Sequence, residues 1–292
     1  MTNYEIANKL LKEGLPVGSD IKSLQVALKL LGFMPNNYLR QVDGKLGKST
    51  LMAIKALNWA VFEREDEGVP YDKITDLLLN KNVDWFKVPF VENPQEENNL
   101  TISLLESKKD FIIDNYEVPF DFLKAILWQE TNLTHYDPDG FVFVGCDFGA
   151  SEKYKYRSRG WGLGQYTITN HPPDKGQQEN IINPINNLEF VINHLRSKFD
   201  LYAKRDFVKC RYKPADKQYL RNCIKCVDES SRCNITLQDA HYHPKAQIGY
   251  KDMPMLNACG WGLAVERYNG QGANAVAYKY EVLMKILGRE IR

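Results

Sequence analysis

Glu130 stands in the stretch Trp128-Gln129-Glu130-Thr131-Asn132, directly after the apolar run Phe122-Leu123-Lys124-Ala125-Ile126-Leu127. A glutamate in water is ionised at neutral pH and has no proton to give. Kept against apolar side chains, it holds its proton to higher pH and becomes a general acid. Ile126, Leu127 and Trp128, just ahead of Gln129, are the nearest candidates for such walls. A glutamate closing an apolar run is equally the solvated end of a helix, so partners elsewhere must decide. Two later stretches offer them: "RGWGLGQYT" at 159–167 and "AVERYNGQG" at 264–272. Glycines let backbone amides approach a ligand closely. Gln165 adds a side-chain amide, Trp161 and Tyr166 add flat faces, and Tyr268 adds a hydroxyl beside Asn269 and Gly270. Each stretch alone is only a loop or turn. Together they supply groups from which an active site could be built.

The elements that must carry these residues read as mostly helical. Residues 1–15 have helical spacing, and "DIKSLQVALKLLGF" is a helix with Asp20 as N-cap and Gly32 as a left-handed stop. "STLMAIKALNWAVF" is a further helix with Ser49 or Thr50 near its cap, and "ITDLLL" a last short apolar piece. "KVPFVENPQEENNL", with two prolines and an acidic run, reads as a linker over 88–99. Helix resumes from Leu100 to Tyr116, then in "VPFDFLKAILWQETN" with Pro119 at the start. Residues 133–180, rich in Gly, Asp, Tyr and Pro, read as loops and turns. "NPINNLEFVINHLRSKFDLY" has an apolar stripe of Ile185, Leu188, Val191, Ile192, Leu195 and Phe199. The expected class is mainly α, with no solenoid repeat.

The chain has 292 residues, 43% of them hydrophobic, enough for one large or two ordinary cored domains. Its net charge of +1 argues against a whole-chain nucleic-acid binder. No apolar stretch approaches a membrane span, so no membrane insertion is expected. The N-terminus lacks a secretory h-region, which predicts synthesis in the cytoplasm without the general secretory signal. Between 204 and 225 eight basic residues face only Asp206 and Asp216, a solvated face or a patch for an anionic partner. Cys210, Cys223, Cys226 and Cys233 fall in the same insert, about 203–250. Two disulfides, a four-thiolate zinc site or free thiols all suit that spacing. As a zinc module the insert would bind nucleic acid or a protein partner. The five histidines form no metal pattern, and neither a catalytic metal nor a cofactor is expected.

Two resemblances follow from these motifs. Residues 17–80 resemble a peptidoglycan-binding domain of the three-helix kind: Leu24–Gln25, "LGF" at 31–33, and "VDGKLGKST" at 42–50, with Leu46 where an aromatic is usual. This implies a wall-binding module over 1–87, with Asp43, Gly44 and Leu46 in its binding loop. Residues 100–292 resemble lysozyme-like lytic transglycosylases and goose-type lysozymes. Glu130-Thr131-Asn132 matches the family's Glu-Ser-Asn. "GWGLGQ" matches its glycine-rich motif with Gly164 in place of methionine. Pro184 to Leu188 matches a following helix start, and "AVERYNG" its tyrosine segment. The cysteine insert departs from the common pattern.

The second resemblance implies cleavage of the β-1,4 bond between N-acetylmuramic acid and N-acetylglucosamine, with Glu130 as acid. Gly162, Leu163, Gly164, Gln165, Tyr166, Tyr268 and Asn269 would line the substrate site. A lytic transglycosylase needs no second carboxylate, because the muramic C6 hydroxyl attacks and a 1,6-anhydro sugar forms. A hydrolysing muramidase would add an aspartate to position water, for which Asp137, Asp139 and Asp147 are the candidates. The rival from another class is a non-enzymatic wall-binding or phage-tail protein on the same fold. The implied partner is peptidoglycan. A phage endolysin released through a holin, or a toxin injected by a secretion system into the periplasm, would both fit. A toxin would also imply an immunity protein or a secretion-system component as partner.

Overall fold

The computed structural model describes residues 1–34, 40–63, 68–146, 159–168, 172–203, 261–269 and 273–286. The chain is mainly helical, and among the described residues a single three-stranded sheet interrupts the helices. It divides into two units, each built from two stretches of sequence: Met1–Ser103 with Thr134–Leu188, and Leu104–Leu133 with Glu189–Arg292. The basic insert with Cys210, Cys223, Cys226 and Cys233 lies outside the described residues, as do Asp147 and Gly270.

The first unit opens with α1 (Asn3–Glu13), α2 (Ile21–Leu30), α3 (Lys48–Phe62) and α4 (Tyr71–Leu78). Asp20 caps α2 by accepting from the Ser23 N–H at 2.8 Å. Gly32, at φ +77°, lets the Phe33 N–H turn back to the Leu28 carbonyl and close the helix. The cap of α3 is Gly47, not Ser49 or Thr50. Thr50 instead turns inward and is buried, accepting a hydrogen bond from Gln25.

The linker expected over 88–99 is built structure. The Val88 N–H donates to the Leu30 carbonyl at 2.8 Å, and Phe90 bridges to Phe141. Pro94 opens α5 (Pro94–Ser107), so the acidic run Glu96–Glu97 is the first turn of a helix, where carboxylates meet the positive end of the dipole. Loops were expected over 133–180, yet three strands form: β1 (Val144–Cys146), β2 (Arg159–Trp161) and β3 (Tyr166–Ile168), antiparallel in the order β1-β2-β3. A helix, α8 (Lys175–Ile182), follows them. One hydrophobic core joins α1–α4 to this region, running from Ile6 and Leu28 through Trp85 and Phe86 to Phe141, Trp161 and Ile181. The boundary drawn from sequence near residue 87 therefore crosses a core.

The second unit contains α6 (Lys109–Tyr116), α7 (Phe120–Thr131), most of α9 (Pro184–Lys198) and a π-helical turn, Phe199–Ala203. It ends with α10 (Trp261–Tyr268) and α11 (Ala273–Ile286). The stripe expected on α9 is buried from Leu188 to Phe199. Phe199 stacks on Trp261 at 4.1 Å between ring centroids, and α10 and α11 pack against α7.

Candidate functional site

Why Glu130 ends where it does is written in its neighbours. Phe122, Leu123, Ala125, Ile126 and Leu127 bury α7 on several sides. Asn132 then adopts the left-handed conformation at φ +57°, and its N–H returns to the Trp128 carbonyl. Asn tolerates that conformation well, so the helix stops with Glu130 in its last turn. The last turn of a helix disfavours a negative charge.

Tyr278 on α11 donates its hydroxyl to Glu130 Oε1 at 2.5 Å. Glu130 retains some exposed surface, yet loss of solvent around the carboxyl is the largest influence on it. Burial pushes its pKa up to about 7, while the Tyr278 hydrogen bond and the charge of Lys285 pull the other way. Tyr268 and Tyr278 are themselves pushed well above the ordinary phenol value, first by burial and then by the Glu130 charge. Both phenols therefore keep their protons across any working pH. Their rings stack at 6.3 Å and 16°. His194 of α9 meets Tyr268 edge-on at 5.1 Å and stacks on Phe190 at 5.4 Å. Burial, then Lys198, lowers the His194 pKa, so at pH 7 the row Phe190–His194–Tyr268–Tyr278 is neutral.

A second set of contacts surrounds Gln129. Its amide oxygen accepts from Lys285 Nζ, and its amide nitrogen donates to Glu281 Oε2. Lys285 also sits 5.9 Å from the centroid of Trp128, which is 44% exposed. The arrangement holds a carboxyl whose pKa burial raises to about 7, hydrogen-bonded to one of two stacked neutral phenols. Such a group can give a proton to a leaving oxygen and later take one back. Asn269, one residue past α10, is exposed.

Gly162, Leu163, Gly164, Gln165, Asp137 and Asp139 belong to the first unit, where neighbouring side chains and backbone engage them. Gly162 has φ +67°, and a Cβ there would meet the His135 ring at 2.6 Å. His135 receives the Leu163 N–H on Nδ1, and its Nε2 reaches the Ile181 carbonyl at 3.1 Å. The ring is therefore neutral with its proton on Nε2, and burial lowers its pKa to about 4. Asn187 accepts from the Gly164 N–H and donates to the carbonyls of Trp161 and Asn180. Gln165 folds over the sheet: its Oε1 fills the space beside Gly145 and Gly160, and its Nε2 donates to the Gly162 carbonyl. Leu163 is buried and Tyr166 is half-buried beside it. These glycines admit a histidine and a glutamine of the same unit, a structural role that the glycine string does not reveal.

Asp137 and Asp139 are buried around Lys29, which contacts Asp137 Oδ2 and lies 3.2 Å from Asp139 Oδ2. Asp137 also accepts from the N–H groups of Asp139 and Phe141, and Asp139 from those of Gln41 and Val42. With those bonds the pair ties α2 to the segment after α7, which is a different task from positioning a water. In the amino-terminal helices Gln25 is buried and donates to Asp43 Oδ1 at 2.9 Å, to the Lys45 carbonyl and to Thr50, and it accepts from the Gly44 N–H. Asp43 and Gly44 are thus loop-builders, and Leu46 beside them is 53% exposed.

Sequence reasoning missed Tyr278, the Gln129–Glu281–Lys285 set and the place of His194. A tyrosine at a core position of α11, in step with Ala275, Val282 and Ile286, was the available signal for the first. Among the described residues, no group of three or more His, Cys, Asp or Glu side chains is placed to hold a metal. Comparison with protein-family models, with curated proteins and with solved structures returns no match.

Proposed function

We propose that this protein is a glycosidase of peptidoglycan, a lytic transglycosylase that uses Glu130 as its acid and base. The observation that carries the reading is the Glu130 carboxyl with its pKa raised to about 7 and the Tyr278 hydroxyl on Oε1. In the proposed reaction Glu130 gives its proton to the glycosidic oxygen as the bond to C1 breaks. The C6 hydroxyl of the same muramic sugar then attacks C1 and returns its proton to Glu130. Atoms balance without water, and the product is a 1,6-anhydro sugar.

The transglycosylase form is favoured over hydrolysis by the engagement of Asp137 and Asp139 with Lys29. Both were candidates for holding an attacking water; the third, Asp147, lies outside the described residues. Leu46, exposed on the loop that Gln25 and Asp43 fix, is the proposed contact with the wall.

The test is digestion of purified peptidoglycan, with mass spectrometry of the released muropeptides. The expected products are lighter by one water than those of a hydrolase. Glu130→Gln, which keeps an acceptor for Tyr278, is expected to lose at least about 10²-fold in rate while folding normally. Wild-type clearance by that variant overturns the proposal, and products that have gained water move the reading to a muramidase.

A further inference from the structure

Trp128 is 44% exposed, yet its indole is held in place. Lys285 Nζ lies 5.9 Å from the ring centroid. That ammonium is fixed in turn by Gln129, whose amide oxygen accepts from it while the amide nitrogen donates to Glu281 Oε2. A primary amide suits this place because it accepts at one atom and donates at the other. Glu281 and Lys285 stand four residues apart and so share a face of α11, which packs on α7, and all four residues belong to the second unit. A flat apolar group thus stands in solvent, bordered by an amide, a carboxylate and an ammonium whose positions are already set.

The charges of this border decide what fits it. Glu281 and Lys285 are opposite in sign and share one amide, so together they are neutral. An anion would meet the carboxylate as well as the ammonium, and a wholly apolar group would leave both without a use. Gln129 takes one of the three N–H donors of the ammonium and one oxygen of the carboxylate, so donors and an acceptor border the ring. A sugar ring answers both parts: its C–H groups pack on an aromatic surface, and its hydroxyls donate and accept around the edge. Binding to groups already held by their neighbours costs little ordering.

Resting on the reading of this protein as a glycosidase of peptidoglycan, we propose that Trp128, bordered by Lys285 and Glu281, is a subsite for a neutral sugar of the glycan strand, N-acetylglucosamine. The subsite is separate from the reacting carboxyl. On α11, Tyr278 meets Glu130, whereas Lys285, seven residues further on, meets Gln129 and Trp128. Seven residues of helix rise about 10 Å, so Trp128 grips a sugar other than the one that receives the proton.

The experiment uses the full chain as Glu130→Gln, which binds without cleaving, and follows the nitrogen-15 indole signal of Trp128, assigned by its loss in Trp128→Phe. The probe is chitotetraose, a neutral soluble oligomer of N-acetylglucosamine. The Trp128 signal is expected to shift and saturate. Adding Trp128→Ala is expected to weaken binding by about 10-fold, whereas Trp128→Phe, which keeps a ring, is expected to lose less. Affinity unchanged in Trp128→Ala, or a Trp128 signal that chitotetraose leaves in place, overturns the proposal. So does a short oligoglutamate that shifts this signal when chitotetraose does not. If Trp128→Ala fails to fold, the titration of the Trp128 signal still decides. Because binding needs no turnover, a saturating shift in a protein whose wild type leaves peptidoglycan intact sustains the subsite and refutes only the glycosidase reading.

Discussion

Two sets of enclosed carboxyl groups differ in their first partners, although burial raises the pKa of both Asp137 and Glu130. In the first unit Asp137 and Asp139 close around Lys29, and backbone N–H groups complete their hydrogen bonds. In the second unit Glu130 receives a phenol, and the nearby ammonium of Lys285 bonds to Gln129 rather than to Glu130. A cation in contact favours the charged form and makes the carboxylate a structural tie, working against the burial that raises the Asp137 pKa. A neutral donor with a more distant cation leaves the same chemical group poised between two protonation states. Burial alone does not tell a staple from an acid, whereas the identity of the first partner does.

The sharpest way to break this contrast is to remove the cation from the staple. Lys29→Met strands two buried carboxyl groups and is expected to lower stability by about 3–5 kcal/mol in urea unfolding at pH 7. A loss below about 1 kcal/mol would place Lys29 among ordinary surface ion pairs. Glu130 is expected to behave in the reverse sense. Its proton is bound more tightly in the folded than in the unfolded state, because its pKa is raised from 4.5 to about 7. The stability this provides is complete below about pH 4.5 and disappears as pH rises through about 7. Glu130→Gln cannot ionise. It is therefore expected to exceed the wild type at pH 8 by about 1–3 kcal/mol, with the gap closing towards pH 4.5. Parallel denaturation series at the two pH values measure this, and a gap independent of pH would contradict the raised pKa. The smallest effect is that of Tyr278→Phe, which removes one hydrogen bond for about 1 kcal/mol. That bond favours the ionised carboxylate, so the variant's basic activity limb is expected to move to higher pH.

Local signals in the sequence carried the endings of elements well. Asp20 caps α2 and Gly32 stops it, because each depends on neighbours within a few residues. Glu130 and Tyr268 were both singled out in the sequence, and both lie in the second unit, where the Glu130 charge acts on the Tyr268 phenol. Tyr278 was not legible, since a tyrosine in an apolar stripe looks like core until its hydroxyl finds an acceptor 148 positions away in sequence. The strands escaped notice because three residues are too few to show alternation, and Gly145 and Gly160 have no side chain to alternate. The polar run that opens α5 resembled a linker for a related reason. Asn98 is a buried side chain that holds the N–H groups of His135 and Tyr136 and the Tyr136 carbonyl, a role set by distant residues.

The hydrophobic core that α1–α4 share with residues up to Ile181 bears on any attempt to re-engineer the molecule. Exchanging the first 87 residues for another targeting domain would cut through Trp85 and Phe86, remove Leu28 and Leu30, and leave Asp137 and Asp139 without their lysine. Chimaeras that keep α1–α4 whole and graft new specificity onto the loop around Leu46 leave that interior closed.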